Sequence, residues 1–237
     1  MPAKKLSIIC PFYNEKDNLE ELVERIFGVL NKLYHMDEIE LIMVNDGSSD
    51  NSSIIMCKLT ERYGNIKPII HNKKIGQAAA LSSGFHSASG SIVITMDSDL
   101  QVFPEDLPLF LDKINQGYDL VNGIRLNRKD PLFLTLSSKF FSFLVSVFLN
   151  VRIKDAASNF TAVKKEFIKK LNLMANDHRY IVPILKKRGA LKIAEVKVRH
   201  AKRQKGRSKY RLAKVVSAVP EFFSFYFRFK RGDYDLN

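Results

Sequence analysis

Ile92-Val93-Ile94-Thr95-Met96-Asp97-Ser98-Asp99-Leu100-Gln101 is a hydrophobic run that stops abruptly on two aspartates separated by one residue. In a buried strand, side chains alternate between the two faces, so Asp97 and Asp99 project from one side at the strand's carboxyl end. Two adjacent carboxylates repel each other unless a cation lies between them, and a hard divalent ion with oxygen ligands would also hold a phosphate. The alternative is a solvated Asp-Ser-Asp turn, which the tripeptide alone favours.

Strands and helices alternate on both sides of this run. Short apolar runs predict strands, and apolar residues at helical spacing predict amphipathic helices. Strands are predicted at residues 7–12, 40–44, 67–71, 92–96 and 119–122, and helices at residues 18–32, 52–63 and 77–87 and from Pro104 onward. This alternation is typical of an α/β domain whose mostly parallel central sheet is flanked by helices on both faces.

Three of the predicted strands end on polar clusters. Tyr13-Asn14-Glu15 follows the first strand, residues 45–50 (Asn-Asp-Gly-Ser-Ser-Asp) follow the second, and Asp97-Ser98-Asp99 follows the fourth. In parallel sheets ligands bind where the carboxyl ends of the strands meet, so three clusters favour a binding crevice over an isolated turn. A nucleotide suits such a crevice. The sequence has no Gly-x-Gly-x-x-Gly after a strand and no P-loop, which disfavours dinucleotide oxidoreductases and P-loop NTPases.

The positive charge is concentrated late in the chain. The 237 residues include 38 Lys and Arg against 25 Asp and Glu, a net charge of +13, and residues 197–214 hold nine basic residues and no acidic one. Such a segment attracts nucleic acid, anionic lipid headgroups or a phosphorylated substrate, unless it is simply a solvated basic surface. Nucleic-acid binding would not require three acidic clusters at strand ends, so we expect no nucleic-acid partner.

Two apolar segments bear on membranes. Residues 131–151 carry Lys139 as their only charge, and residues 212–229 are rich in aromatic side chains. Polar and charged residues interrupt both, so we expect amphipathic interfacial helices, with phenylalanines in the lipid boundary, rather than spanning helices. The alternative for each is a core helix or an oligomer-interface helix.

The chain predicts one domain over residues 1–211 and an amphipathic, basic, membrane-associated extension over residues 212–237. Cys10 and Cys57 match no metal spacing, fit a reducing compartment and are expected to be packing residues. The first residues lack the long apolar region of a signal peptide, so we expect a cytoplasmic protein bound peripherally to a membrane.

The three strand-end motifs, residues 11–15, 44–50 and 97–101, together resemble the inverting family-2 glycosyltransferases, which have the nucleotide-diphospho-sugar-binding GT-A fold. Four later motifs narrow the resemblance to the polyprenyl-phosphate glycosyltransferases, the subgroup of dolichyl-phosphate mannose synthase. These motifs are residues 123–125, 155–160, 178–183 and 203–210.

The resemblance implies a nucleotide-diphospho-sugar donor and a divalent cation. Asp97, Asp99 and Gln101 would hold Mg²⁺ or Mn²⁺ against the diphosphate, where a Lewis acid stabilises the charge of the departing nucleotide. The residues implied in donor binding are Pro11, Tyr13, Asn14, Glu15, Asp46, Gly76, Gln77, Asp97, Ser98 and Asp99.

The resemblance also implies a phosphate-binding set, in which arginine suits phosphate because its guanidinium binds two oxygens at once. Without the family pattern, Arg125 would be a surface ion pair and residues 203–209 a nonspecific basic face. The implied catalytic residues are Asp97, Asp99, Arg125 and Asp155. The implied acceptor or phosphate ligands are Arg125, Lys139, Arg203, Ser208 and Lys209.

The acceptor decides the mechanism. A sugar hydroxyl must lose a proton as it attacks, so it needs a base such as Asp155, whereas a polyprenyl phosphate is already anionic and needs positive charge for positioning. The basic residues and the apolar helix favour hexose transfer from a UDP- or GDP-sugar to undecaprenyl or dolichyl phosphate at the cytoplasmic membrane face. In that case Asp155 orients basic residues or the sugar. The alternative is a family-2 enzyme that glycosylates a saccharide hydroxyl in cell-surface polysaccharide or lipopolysaccharide synthesis.

The sequence departs from the family pattern in ways that leave the sugar and partners open. Asn159 stands where glycine is usual and Thr161 where arginine is frequent, both near the expected sugar and acceptor site. Many relatives continue into carboxyl-terminal transmembrane helices, whereas this sequence stops at Asn237, which predicts either a peripheral member or a shortened chain. The sequence is compatible with a homo-oligomer or with a small membrane-protein partner. It is also compatible with an inactive version of the fold that only binds its ligand.

Overall fold

The computed structural model describes residues 5–126, 142–156, 158–174, 176–201 and 218–236. Its strands are β1 (Leu6–Phe12), β2 (Ile39–Asn45), β3 (Ile66–Ile70), β4 (Ile92–Thr95), β5 (Leu120–Arg125), β6 (Thr161–Lys164) and β7 (Ile193–Val198). Its helices are α1 (Leu19–Leu30), α2 (Ser52–Arg62), α3 (Gln77–Ser87), α4 (Leu107–Asn115), α5 (residues 142–149), α6 (Ile181–Lys187) and α7 (Ala218–Arg231).

The described strands form one seven-stranded sheet in the order β3-β2-β1-β4-β6-β5-β7. β1, β2, β3 and β4 are parallel, and so are β5 and β7, while β6 runs antiparallel to both of its neighbours. The predicted mostly parallel α/β sheet is therefore confirmed. Its parallel strands share one carboxyl edge, and the polar clusters after β1, β2 and β4 lie at that edge.

Most of the predicted elements agree with the structure to within two residues. The fifth strand is longer than the predicted residues 119–122 and extends from Leu120 to Arg125. This extension places Arg125 at the carboxyl edge. The helix predicted from Pro104 begins as a 3₁₀ turn, Pro104–Asp106, that leads into α4. β6 and β7 had no predicted counterpart.

The antiparallel strand β6 brings a later segment of the chain to the same edge. Thr95, the last residue of β4, pairs with Thr161, the first residue of β6. Because antiparallel strands run past each other, the residues that precede β6 lie beside those that follow β4. Asn159 is thereby placed next to Asp97.

The hydrophobic core has two parts, one on each face of the sheet. Along β1, Ile8 and Cys10 belong to one part and Ile9 to the other, as the alternation of a strand requires. Helix α1 covers the first face with six fully buried apolar side chains, Leu19, Leu22, Val23, Ile26, Phe27 and Leu30. The expectation that both cysteines pack inside is right for Cys10 and wrong for Cys57, which is exposed on α2.

The carboxyl-terminal helix α7 is amphipathic. Phe222 and Phe225 are fully buried, and the ring of Phe225 stacks on that of Tyr180 with centroids 3.9 Å apart. On the opposite side Phe223 is 42% exposed and Phe227 67% exposed. In the described part of the chain, no helix combines the length and apolar character needed to cross a membrane.

A buried carboxylate anchors α7 to the domain. Asp177 is fully buried and accepts hydrogen bonds from Arg228 Nη2 and from the Tyr234 hydroxyl, both at 2.7 Å. Burial, and then the bond to Asp177, raise the pKa of the Tyr234 phenol, so this hydroxyl remains a donor. The helix is therefore held by a satisfied buried ion pair as well as by its aromatic face.

Several predicted positions lie outside the described residues. They are the phosphate ligands Lys139, Arg203, Ser208 and Lys209, and parts of both apolar segments, residues 131–141 and 212–217.

The two faces of α7 predict unequal effects of a phenylalanine-to-alanine substitution. Phe225→Ala should lower the free energy of unfolding by about 3–5 kcal/mol, because it leaves a cavity in the core. Phe227→Ala should change it by no more than about 0.5 kcal/mol, because the ring is largely exposed. Urea denaturation of the two variants measures both values, and equal destabilisation would contradict the packing of α7.

Candidate active site

The loops after β1 and β2 are joined by hydrogen bonds. Asn14 has a left-handed backbone with φ 56°. Its backbone N–H donates to Ser48 Oγ at 3.0 Å, and its side-chain Oδ1 accepts the Ser49 N–H at 2.8 Å. The Glu15 N–H donates to Ser52 Oγ at 3.0 Å, and the Glu15 carboxylate accepts a bond from Asn18. Asn14 and Glu15, predicted as donor ligands, thus contribute to the rigidity of this edge.

Asp46 organises the loop that leads into α3. One of its oxygens accepts hydrogen bonds from His71 Nδ1 at 3.0 Å and from the Ile75 N–H at 2.9 Å, and the other accepts the Gly76 N–H at 2.9 Å. Gly76 has a φ of 123°, which a residue with a side chain rarely adopts. Asp46 and Gly76 together fix where α3 begins.

Tyr13 and Lys74 come from two different loops and contact each other. The Lys74 ammonium lies 4.0 Å from the centroid of the Tyr13 ring, a cation–π contact. The aromatic face and the positive charge are therefore held together beside Asp46, where a base and a phosphate of one nucleotide could be accommodated.

The two aspartates after β4 lie in a tight turn. Leu100 has a left-handed backbone with φ 58°, and Asp99 Oδ1 accepts the Gln101 N–H at 3.2 Å. Ser98 is buried and donates its hydroxyl to the Pro11 carbonyl at 3.1 Å, which ties the turn to β1. Pro11 and Ser98, both predicted as donor-binding residues, therefore hold the acidic turn against β1 through this hydrogen bond.

Asp97 accepts hydrogen bonds from two side-chain amides. Gln77 Nε2 donates to Oδ1 at 2.7 Å, and Asn159 Nδ2 lies 3.3 Å from each carboxylate oxygen. Gln77, predicted beside the nucleoside, thus directs its amide to the acidic turn. Burial within β1 and, to a smaller extent, the charge of Asp97 raise the pKa of the Cys10 thiol. Cys10 therefore stays protonated.

The residues of the acidic turn fit a divalent cation. Asp97, Asp99 and Gln101 offer carboxylate and amide oxygens, the donors that Mg²⁺ and Mn²⁺ prefer. Within the described residues, no group of three or more His, Cys, Asp or Glu side chains is arranged to hold a metal ion. Two carboxylates completed by substrate phosphates are the usual arrangement for Mg²⁺, so the turn suits a cation that arrives with a nucleotide.

Arg125 and Asp155 form a bidentate ion pair at the end of β5. Arg125 Nε donates to Asp155 Oδ2 and Nη2 donates to Oδ1, each at 2.8 Å, and the Arg125 backbone N–H lies 3.3 Å from Oδ2. The Asp155 carboxylate is buried, and its backbone carbonyl accepts a bond from Asn122 Nδ2 at 3.0 Å. The structure therefore brings together two residues that lie 30 positions apart in the sequence.

Sequence reasoning missed the contacts of Asn159. In the sequence Asn159 stands out only as a departure from the family pattern, and its place beside Asp97 depends on the pairing of β4 with β6. β6 has four residues, too few to produce a clear periodic pattern, so the sequence offers no signal for the contact of Asn159 with Asp97.

The mostly parallel sheet, flanked by helices and with the acidic turn at its carboxyl edge, has the GT-A-like fold. The model of the family described as Glycosyl transferase family 2 matches residues 7–172, and the chain belongs to this family.

The curated relatives are similar over most of the chain. An undecaprenyl-phosphate 4-deoxy-4-formamido-L-arabinose transferase of Photorhabdus laumondii is 35% identical over 217 residues, which cover 91% of this chain and 66% of the relative. The enzyme of the same name from Serratia proteamaculans is 33% identical over 219 residues, which cover 92% and 66%. The chain thus spans just under two thirds of the length of these relatives.

Solved structures share the fold at low sequence identity. Glucosyl-3-phosphoglycerate synthase of Mycobacterium tuberculosis, solved with Mn²⁺, uridine diphosphate and glucosyl-3-phosphoglycerate, superimposes with a TM-score of 0.70 at 17% identity, covering 95% of this chain and 79% of that one. A mannosyltransferase of Pyrobaculum calidifontis, solved with GDP-mannose and Mn²⁺, gives 0.62 at 18% identity, covering 86% and 59%.

The bonds of Asp46 predict a structural effect of its removal. Asp46→Ala leaves His71 and the N–H groups of Ile75 and Gly76 without their acceptor, so it should lower the free energy of unfolding by roughly 2–3 kcal/mol. Hydrogen exchange at the two amides should become faster. Asp37→Ala, at an exposed aspartate, is the matched control and should change neither quantity; unchanged exchange in Asp46→Ala would contradict the assignment.

Proposed function

We propose that this protein transfers a hexose from a UDP- or GDP-sugar to a polyprenyl phosphate, with inversion at the anomeric carbon and with Mg²⁺ or Mn²⁺. Membership of Glycosyl transferase family 2 supports glycosyl transfer, and the names of the curated relatives support an undecaprenyl-phosphate acceptor. The single observation that carries the choice of acceptor is the ion pair between Arg125 and Asp155.

The donor would lie across the carboxyl edge of the sheet. Tyr13, Lys74 and Asp46 surround the position of the nucleoside, and the acidic turn lies beyond the start of α3, where the diphosphate would follow. Asp97, Asp99 and Gln101 would hold the divalent cation, which supplies positive charge for the departing nucleotide. The neighbouring solved structures with Mn²⁺ and a nucleotide or nucleotide sugar support this assignment.

The acceptor would attack from the side of Arg125. A phosphate monoester is already ionised, so the protein has only to hold it in line with the anomeric carbon. Arg125 lies at the end of β5, two strands and so about 10 Å across the sheet from β4. Its guanidinium is held in one orientation by Asp155, which suits the recognition of a phosphate.

A hydroxyl acceptor in cell-surface polysaccharide or lipopolysaccharide synthesis is the second candidate, and Asp155 would then be the general base. Both oxygens of Asp155 already accept hydrogen bonds from Arg125, so an attacking hydroxyl would compete with the guanidinium for this carboxylate. The geometry of this pair therefore favours the lipid phosphate.

We place the protein peripherally on the cytoplasmic face of a membrane, and its exposed aromatic side chains support the membrane contact. Phe148 of α5 packs edge-on against Phe222 of α7 with ring centroids 5.6 Å apart, so the two helices form one surface. The large apolar side chains of this surface that are at least 39% exposed are Phe143, Val147, Phe148, Phe223 and Phe227. In this proposal residues 1–211 are the catalytic domain and residues 212–237 contribute to membrane contact.

Transfer to a short polyprenyl phosphate tests the function. Purified protein with Mn²⁺ or Mg²⁺ and a panel of UDP- and GDP-hexoses should form a glycolipid, detected by mass spectrometry. Asp155→Asn keeps one oxygen for Arg125 and should retain transfer within about tenfold, whereas loss of a true base lowers the rate about a hundredfold or more. Glycosylation of a saccharide acceptor without any glycolipid would reject the proposal.

Asp119→Asn is the matched control for that experiment. Asp119 pairs with Lys164 at 2.6 Å near the start of β5, the end of the strand remote from Arg125, so its loss should leave transfer unchanged.

Vesicle binding tests the membrane surface. The double variant Phe223→Ser and Phe227→Ser should bind anionic phospholipid vesicles at least about tenfold more weakly than the unchanged protein, because each ring contributes apolar area to the contact. Leu191→Ser removes a side chain that is 70% exposed elsewhere and should bind normally. Co-sedimentation measures all three proteins, and equal binding by the double variant would locate the contact elsewhere.

A further inference from the structure

The carboxylate of Asp97 is held by amides that come from two separate elements. Gln77 is the first residue of α3, and Asn159 lies two residues before β6. Both donate to Asp97, Gln77 at 2.7 Å and Asn159 at 3.3 Å. We propose that these side chains form an amide clamp that positions Asp97 for the divalent cation of the donor, with Asn159 as a positioning residue that contacts neither substrate nor cation. This proposal rests on the donor site proposed above.

The backbone of Asn159 is fixed relative to Asp97. Thr95 pairs with Thr161, so Asp97 and Asn159 are equally far beyond the two paired strand ends. The Thr95 hydroxyl also donates to the Asn159 carbonyl at 2.6 Å. The strand that presents Asp97 therefore also holds the residue that orients it.

The orientation of the Asn159 amide follows from chemistry. An ionised carboxylate only accepts hydrogen bonds, so Nδ2 and not Oδ1 must face Asp97. Among the described residues Asn159 Oδ1 has no hydrogen-bond partner, although it is inaccessible to solvent. The bonds to Asp97 are therefore the side-chain hydrogen bonds that the described residues give Asn159.

A clamp of this kind affects a metal ligand by restricting its rotation. The terminal torsion of an aspartate is broad, so an unrestrained carboxylate samples many orientations. Two amide donors, from Gln77 and Asn159, restrict this torsion and so hold the carboxylate in one orientation. Removing partners that orient a ligand typically weakens metal affinity 10–100-fold.

The test measures Mn²⁺ affinity directly. Asn159→Leu and Gln77→Met keep the approximate shape of each side chain and remove its hydrogen bonds. The electron paramagnetic resonance signal of unbound Mn²⁺, titrated in the presence of UDP or GDP, should show about tenfold weaker binding in each variant. The affinity for the nucleotide without metal, and the midpoint of thermal unfolding, should stay close to those of the unchanged protein. Asn159→Ala replaces the leucine variant if leucine does not fit.

Asn65→Leu is the control. Asn65 precedes β3 and so lies at the amino ends of the parallel strands, away from Asp97, and this substitution should leave Mn²⁺ affinity unchanged. Because Gln77 and Asn159 act on one carboxylate, the double variant should lose less than the product of the single losses. Two results would overturn the clamp. One is a Mn²⁺ affinity within twofold of that of the unchanged protein in both single variants. The other is a loss of metal-free nucleotide affinity as large as the loss of Mn²⁺ affinity. Failure of the unchanged protein to bind Mn²⁺ with either nucleotide would instead reject the proposed donor site.

Discussion

The antiparallel pairing of β6 between β4 and β5 is the constraint on which the arrangement of the site depends. A parallel strand in this place would present its carboxyl end at the site edge, whereas β6 presents its beginning there. The segment that leads into β6 therefore crosses the edge from Arg125 to Asp97 and contacts both through Asp155 and Asn159. One reversal of strand direction thus joins the proposed acceptor side to the proposed donor side.

Three buried or half-buried carboxylates at this edge are held by different kinds of donor. Asp46 accepts from backbone N–H groups and His71, Asp155 from a guanidinium, and Asp97 from neutral amides. A guanidinium both orients and neutralises a carboxylate, while an amide orients it without cancelling its charge. Among these contacts, those of Asp46 fix a loop, that of Asp155 orients an arginine, and those of the two amides orient Asp97.

The sequence predicted those parts of the site that are local to a strand and its following loop. The acidic turn could be placed because apolar residues 92–96 run directly into Asp97, and Asp46 could be placed in the same way after β2. The bonds between loops could not be predicted, because Asn14 with Ser48 and Gln77 with Asp97 depend on which strands are neighbours. Asn159 was the least predictable, since its position depends on the short strand β6, which has no distinct pattern of its own.

The anchoring of α7 connects the proposed membrane surface to the site through rigid contacts. Asp177 and Tyr180 hold the buried side of α7, and the adjoining segment is fixed to α3 because the Leu173 N–H donates to Ser82 Oγ at 2.8 Å. Helix α3 in turn begins with Gln77, the partner of Asp97. A surface that contacts lipid through Phe223 and Phe227 would therefore fix the orientation of the acidic turn relative to the membrane. An acceptor whose phosphate stays at the headgroup level requires such a fixed relation, because its reactive oxygen cannot diffuse to the donor.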